Sequence, residues 1–178
     1  MNLNDYASAQ EILYKILDQS TNDLNGYLSL TIIDNLIWCK IQTLEFQSAI
    51  ELIDSLVSKV GINLRYNIIF LPYCQYCAGL QKEALETIAQ FFSKAFDIES
   101  RQYLRMFKAL IADHPKTFLR ESKALVNRML KNDECDTGLF ILKIRARFAY
   151  NHGEIELENE ILRQIIDLST RHNCYQSD

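Results

Sequence analysis

The sequence predicts an all-α fold of about nine helices stacked as antiparallel pairs. Three observations carry this. Apolar residues recur at intervals of three and four along almost the whole chain, the period of a helix buried on one face. Breakers are scarce, with 5 Gly and 2 Pro in 178 residues, too few for a turn-rich all-β fold or for βαβ units with Gly-rich turns. The composition, 48% hydrophobic and 24% charged, suits an ordered chain with a substantial core, read as one domain over residues 1–171 and a flexible tail at 172–178.

The first helix carries Tyr6, Ala9, Leu13, Ile16 and Leu17 at helical spacing and gives way to the polar cluster Ser20-Thr21-Asn22-Asp23. The second runs from about Tyr27 to Gln42. The third runs from about Glu45 to Lys59 and stops at Gly61, which tolerates the positive φ of a helix end. The fourth covers about Asn63 to Ala78, and Pro72 inside it is expected to remove a hydrogen bond and kink it. Gly79 breaks the chain, and the fifth extends to about Phe96. Asp97 and Ser100 suit the cap of the sixth, which ends near Asp113. Pro115 fits the first turn of the seventh, where its missing N–H costs nothing. The polar run Lys131-Asn132-Asp133-Glu134 precedes the eighth, about Asp136 to Asn151. Gly153 turns the chain into the ninth, which ends near Arg171.

So many helices with short connections call for a search for repeats. One pattern recurs in alternate helices: a small residue followed by apolar residues four and seven later. The sets are Ala9, Leu13, Ile16; Ala49, Ile53, Leu56; and Ala84, Ile88, Phe91. Weaker copies are Ser122, Val126, Met129 and Glu158, Leu162, Ile165, so that successive spacings are 40, 35, 38 and 36 residues. The small residue lets two helices cross closely.

These features resemble the tetratricopeptide repeat, whose period is about 34 residues. The segments Leu44-Glu45-Phe46-Gln47-Ser48-Ala49-Ile50-Glu51-Leu52 and Gly79-Leu80-Gln81-Lys82-Glu83-Ala84-Leu85 carry the likeness. It spans nearly the whole chain with degenerate motifs: most of the family's Trp and Gly positions are unmet, and Glu158 stands where a small residue belongs. The resemblance implies a right-handed superhelix, an α-solenoid whose first helices line a concave groove. It also implies a non-catalytic interaction module or adaptor that binds another protein. The alternatives are a structural subunit of a larger assembly and a peptide-sensing regulatory domain.

Candidate groove residues follow. In the family register Trp38 and Tyr73 face the groove, as do Lys143 and Arg147. Arg101, Arg105 and Lys108 recur at four and three and share one helix face. Phe107, Phe140 and Ile144 lie nearby in sequence, and Phe140 and Tyr73 are the candidate apolar anchors. A basic, aromatic-edged groove on a chain of net charge −4 suits an acidic peptide segment of a partner. The first helix reads as the second member of a pair without its mate. Tyr6, Leu13 and Ile16 are therefore a candidate docking face for a partner, for a second copy in a homo- or hetero-oligomer, or for the helix that follows.

Other chemistry finds little support in the sequence. The acidic balance argues against phosphate-driven binding of nucleic acid. No apolar run approaches the length of a membrane span. The polar start, Met1 to Gln10, is not a secretory signal, and five Cys without framework spacing suit reduced thiols in the cytoplasm. Cys74-Gln75-Tyr76-Cys77 has metal-like spacing, but no second pair exists, and two core thiols on one helix face is the preferred reading. His114, His152 and His172 lie near helix ends or in the tail. No hydrolase, phosphate-loop or dinucleotide motif occurs. The expectation is a protein that is not an enzyme, with no cofactor and no metal.

Overall fold

The computed structural model describes residues 3–19, 26–60, 69–94 and 97–175. Among them are nine helices and no strand: α1 (Leu3–Gln19), α2 (Gly26–Gln42), α3 (Phe46–Val60), α4 (Leu71–Cys77), α5 (Gln81–Phe92), α6 (Ile98–Ile111), α7 (Pro115–Lys131), α8 (Cys135–Asn151) and α9 (Ile155–Tyr175). The fold is all-α, as the apolar period predicts. Chain contacts gather into two compact units, Met1–Ser100 and Arg101–Asp178, where the sequence reads as one domain. The boundary falls in the first turn of α6.

Three boundaries differ from expectation. Pro72 does not kink a long helix; it stands in the first turn of α4, where φ near −65° is pre-set and no N–H is missed. The expected start near Asn63 lies outside the described residues. α5 ends at Phe92 rather than near Phe96, capped by Ser93. The tail expected from His172 is helical as far as Tyr175. The expected caps of α6 and α7 hold: Asp97 Oδ1 accepts the Ser100 N–H at 2.6 Å, and Pro115 opens α7.

One turn recurs. After α2, α4, α6, α7 and α8 a single residue takes positive φ: Leu44 (64°), Gly79 (83°), Asp113 (53°), Asp133 (60°) and Gly153 (70°). The next N–H then reaches a carbonyl five residues back, Glu45 to Lys40, Leu80 to Gln75, His114 to Ala109, Glu134 to Met129 and Glu154 to Ala149, at 2.8–2.9 Å. This Schellman closure satisfies carbonyls orphaned at the helix end. The carbonyl of that same residue then accepts the first bond of the next helix, from Ala49, Ala84, Phe118, Gly138 and Glu158 in turn. The equivalent of Ala84 in α7 is therefore Phe118, 34 residues on, and not Ser122. Four of these five positions are buried or filled by a small residue, and Glu158 is half-buried.

In the first unit α1 packs on α2, α2 on α3, α3 on α4 and α4 on α5. Leu36, Ile37, Ile41, Ala49, Ile53, Ala84 and Ile88 form its core, each at most 2% exposed. Burying an aliphatic side chain of this kind contributes about 1.5–3 kcal/mol, opposed by chain entropy. In the second unit α7 packs on α8 and α8 on α9, around Leu125, Met129, Ile141 and Leu142. Tyr103 Oη on α6 lies 3.4 Å from Met129 Sδ on α7. At Gly138 a Cβ would stand 3.3 Å from Leu130 Cδ2 and 3.6 Å from Met129 Cβ, so the α7–α8 hairpin closes on a glycine.

Candidate functional site

On α6, Gln102, Tyr103, Leu104, Met106, Phe107, Ala109 and Leu110 are buried, which leaves a narrow outer stripe of Arg101, Arg105 and Lys108, all exposed. Ile98, one turn earlier on that stripe, is 77% exposed. Arg105 and Lys108 make no hydrogen bond or ion pair with the described residues. Their charge is left to the solvent.

On α8 the exposed stripe is Lys143, Arg147 and Tyr150, at spacings of four and three. Neither Lys143 nor Arg147 has an ion-pair or hydrogen-bond partner among the described residues, and Tyr150 is 70% exposed. Phe140, expected beside them as an anchor, is 5% exposed and belongs to the core, as does Ile144. Tyr150 is the accessible aromatic here. The sequence holds the signal, since Tyr150 continues the Lys143–Arg147 spacing, but a hydrophobic count assigns a tyrosine near a helix end to the core as readily as to the surface.

The two basic stripes do not occupy equivalent faces. Counted back from the positive-φ residue that closes each helix, Arg105 corresponds to Arg145, and Lys143 and Arg147 correspond to Tyr103 and Phe107. The two-residue offset is about 200° of helix rotation. Accordingly Arg145, Tyr103 and Phe107 are buried where their counterparts are exposed. Arg145 is only 6% exposed, and its Nε is buried with no hydrogen-bond partner among the described residues. Burial pushes its guanidinium pKa down, and the charge of Glu160 on α9 opposes this. The alternation Lys143, Arg145, Arg147 spans both sides of a helix, and spacing alone does not say which side is covered.

In the first unit the expected groove residues are packed. Tyr73 is 7% exposed and meets Phe46 edge-on at 5.9 Å. It offers no surface as an anchor. Trp38 is half-buried against Phe70, with ring centroids 5.7 Å apart. Of the candidate docking face on α1, Tyr6 and Leu13 are half-buried, and the helix lies on α2. Ile16 is 41% exposed, and Ile12, which the sequence reading passed over, is 57% exposed.

A polar latch holds α1 in place. Gln10, 7% exposed, donates from Nε2 to Thr43 Oγ1 at 3.0 Å and to Glu45 Oε1 at 3.2 Å. Lys40 Nζ donates to Glu45 Oε2 at 2.6 Å and lies 5.7 Å from the centre of the Tyr14 ring. The hydrogen bond from Lys40, then that from Thr43, holds the Glu45 carboxyl below the usual range. Beside this turn an open depression of about 420 Å³ is lined by Leu44, Glu45, Phe46, Gln47, Ser48 and Ala78. Leu44 is 62% exposed at its positive φ, a conformation that costs a non-glycine residue about 1–2 kcal/mol.

Cys74 is buried and Cys77 half-buried, both as free thiols. Burial, and secondarily the neighbouring Cys77, pushes the Cys74 thiol far above its ordinary pKa, so it stays protonated and unreactive. Among the described residues no group of three or more His, Cys, Asp or Glu side chains could hold a metal ion, and no helix is long and apolar enough to cross a membrane. His114 is exposed, and the side chain of His172 lies outside the described residues. No family model, curated protein or solved structure matches the chain.

Proposed function

We propose that the chain is a non-catalytic protein-interaction module of tetratricopeptide-like helix pairs, which holds an acidic segment of a partner protein against the basic stripe of α8. The observation that carries this reading is the exposure of Lys143 and Arg147, unpaired among the described residues, beside the open ring of Tyr150, on a chain of net charge −4. Unneutralised cations steer an acidic partner and speed its association. An exposed tyrosine supplies rigid apolar area with a polar tip, the kind of side chain that dominates binding hot spots. The Arg101, Arg105 and Lys108 stripe of α6 is a second basic surface, on its own face, for acidic side chains of the partner. The recurrence of one turn after five helices supports the repeat reading. Free thiols at Cys39, Cys74, Cys77 and Cys135 support a reducing, cytoplasmic setting. A subunit of a larger assembly is the second reading, favoured by the exposed Ile12 and Ile16 on α1.

The test is parallel enrichment of binding proteins on immobilised wild-type and K143E/R147E chains, followed by binding kinetics of the recovered partner across a salt series. The double reversal should slow association by about tenfold or more at low salt, with the effect fading as salt screens it. Y150A should mainly speed dissociation. An association rate indifferent to both the reversal and the salt would remove the basis for this reading.

A further inference from the structure

We infer that the outer face of α7 binds the phosphate backbone of duplex nucleic acid, without reading its sequence. The net charge of −4 conceals an uneven distribution. Residues 101–151, the second unit as far as the end of α8, hold 11 Lys and Arg against 5 Asp and Glu, whereas residues 1–100 hold 6 against 12. Within α7 five cations face one carboxylate, Glu121. Lys116, Arg120, Lys123, Asn127 and Lys131 recur at four, three, four and four, and all are exposed. At about 100° per residue they share about 80° of the helix surface, opposite the buried Phe118 and Leu125. The ridge runs about 22 Å along the axis.

The surrounding charges leave this ridge positive. Lys116, Lys123 and Lys131 have no ion-pair or hydrogen-bond partner among the described residues, while Arg120 is held by Glu121 at 2.7 Å. Glu121 is buried and lies off the ridge, on the side of Arg128. The other carboxylates near α7 in sequence stand at its two ends. Asp113 is turned to His152, Glu134 accepts a hydrogen bond from Asn132, and Asp133 is exposed between Asn132 and Glu134. α6, which meets α7 through Tyr103 and Met129, carries Glu99 against three cations, and α8 carries Asp136 against three. The acids of Glu154 and α9, which include Asp167, belong to the turn and helix that follow α8, and none forms an ion pair with a cation of α7.

The chemistry of the ridge selects its occupant. No large apolar side chain of α7 is exposed, and Leu119 and Leu130 at the edge of the ridge are half-buried. An acidic peptide is anchored by apolar and aromatic side chains, a single strand by aromatic rings that stack on its bases, and a membrane surface by an apolar face. Duplex phosphates require none of these. Lys, Arg and Asn side chains make such contacts, and a DNA duplex presents about one charge per 1.7 Å of its axis.

Fluorescence anisotropy of two labelled DNA duplexes of unrelated sequence, each roughly 30 base pairs, titrated with the full chain from about 50 to 200 mM salt, tests this. Both should bind alike, with a Kd of about 1–100 µM at physiological salt. The logarithm of affinity should fall against that of salt with a slope of about −3, close to one for each unpaired lysine. An RNA duplex of the same length should bind within about tenfold, since the backbone rather than the base edges is contacted, and a single strand should bind more weakly. K123E/K131E should weaken duplex binding by about tenfold or more and retain the melting temperature, since both lysines are exposed. K82E/K94E in the first unit, with the same change in net charge, should leave affinity within about twofold at physiological salt. Binding to phosphatidylserine-containing vesicles but to neither duplex, a duplex affinity that survives K123E/K131E, or an equal loss in K82E/K94E would each overturn the proposal.

Discussion

His152 Nε2 lies 2.8 Å from Asp113 Oδ1, joining the turn after α8 to the turn after α6 across 39 residues of sequence. The other ring nitrogen, Nδ1, lies 2.9 Å from the Phe148 carbonyl oxygen. Both partners are acceptors, so both contacts are hydrogen bonds only when the imidazole carries two protons. The ring stacks on Phe148 at 3.9 Å, and Phe148 packs on Phe118 at 4.4 Å, so the cation lies against an aromatic column.

This clasp makes the stability of the second unit depend on pH. The hydrogen bond to Phe148, then that to Asp113, raises the His152 pKa above its ordinary value. A raised folded value means that the contribution is complete below the unfolded pKa of about 6.5 and lost as pH rises through the folded value. The melting temperature should therefore fall from about pH 6 to pH 8, and H152Q or D113N should flatten that slope. Thermal denaturation at a series of pH values checks this; equal slopes in all three proteins would refute it.

The Gln10 latch should control α1 alone. Removing a buried hydrogen-bond donor costs about 1 kcal/mol. Q10A should thus speed amide exchange within α1 and leave α7–α9 unaffected. The lowered Glu45 pKa has the opposite pH sign: its contribution is present above about pH 4.3 and lost as pH falls through the folded value. With the Glu45 side chain 42% exposed the effect is small, and hydrogen exchange at pH 3.5 and 6 should show it as earlier loosening of α1.

Helix approach should be most sensitive where the turn brings a small residue into the crossing. Ala49 and Ala84 are 0% exposed, and Gly138 has Leu130 within 3.3 Å of its missing Cβ. A49L, A84L and G138L should each cost about 1–3 kcal/mol through overpacking, while Q47L, at an exposed site, should cost little. Denaturant titration separates these outcomes.

Arg145 is predicted to be dispensable for stability and Glu160 to matter only because of it. Replacing a buried charge by an apolar chain of similar volume is often neutral, whereas removing its counter-charge is not. R145M should leave stability within about 1 kcal/mol of wild type, and E160A should lower it by about 0.5–1 kcal/mol. In the R145M background E160A should have no effect. A full double-mutant cycle by denaturant unfolding measures the coupling.

The legible part of the site was its charge. Arg101, Arg105 and Lys108 at four and three, and Lys143 and Arg147 at four, were readable as stripes because helical spacing is a local property, and all five are exposed. Their apolar companions were not readable. Phe140 and Tyr73 turned inward and Tyr150 outward, since an aromatic residue is stable in either place and only its neighbours decide. Pro72 shows the same limit: proline tolerates a helix start and disrupts a helix interior, and the local sequence allowed either reading.

By itself the sequence determined that this chain is helical, where most of its helices begin and end, and which residues carry charge. Apolar period, caps and breakers act within one or two turns, so their energies are written in neighbouring residues. Only the tertiary structure decided that Phe118 rather than Ser122 follows Ala84 in the pattern of turns. It alone showed that Arg145 is buried between two exposed cations, and that Asp113 meets His152. Each of these depends on how one helix is rotated against another, which small differences summed over many packed side chains select.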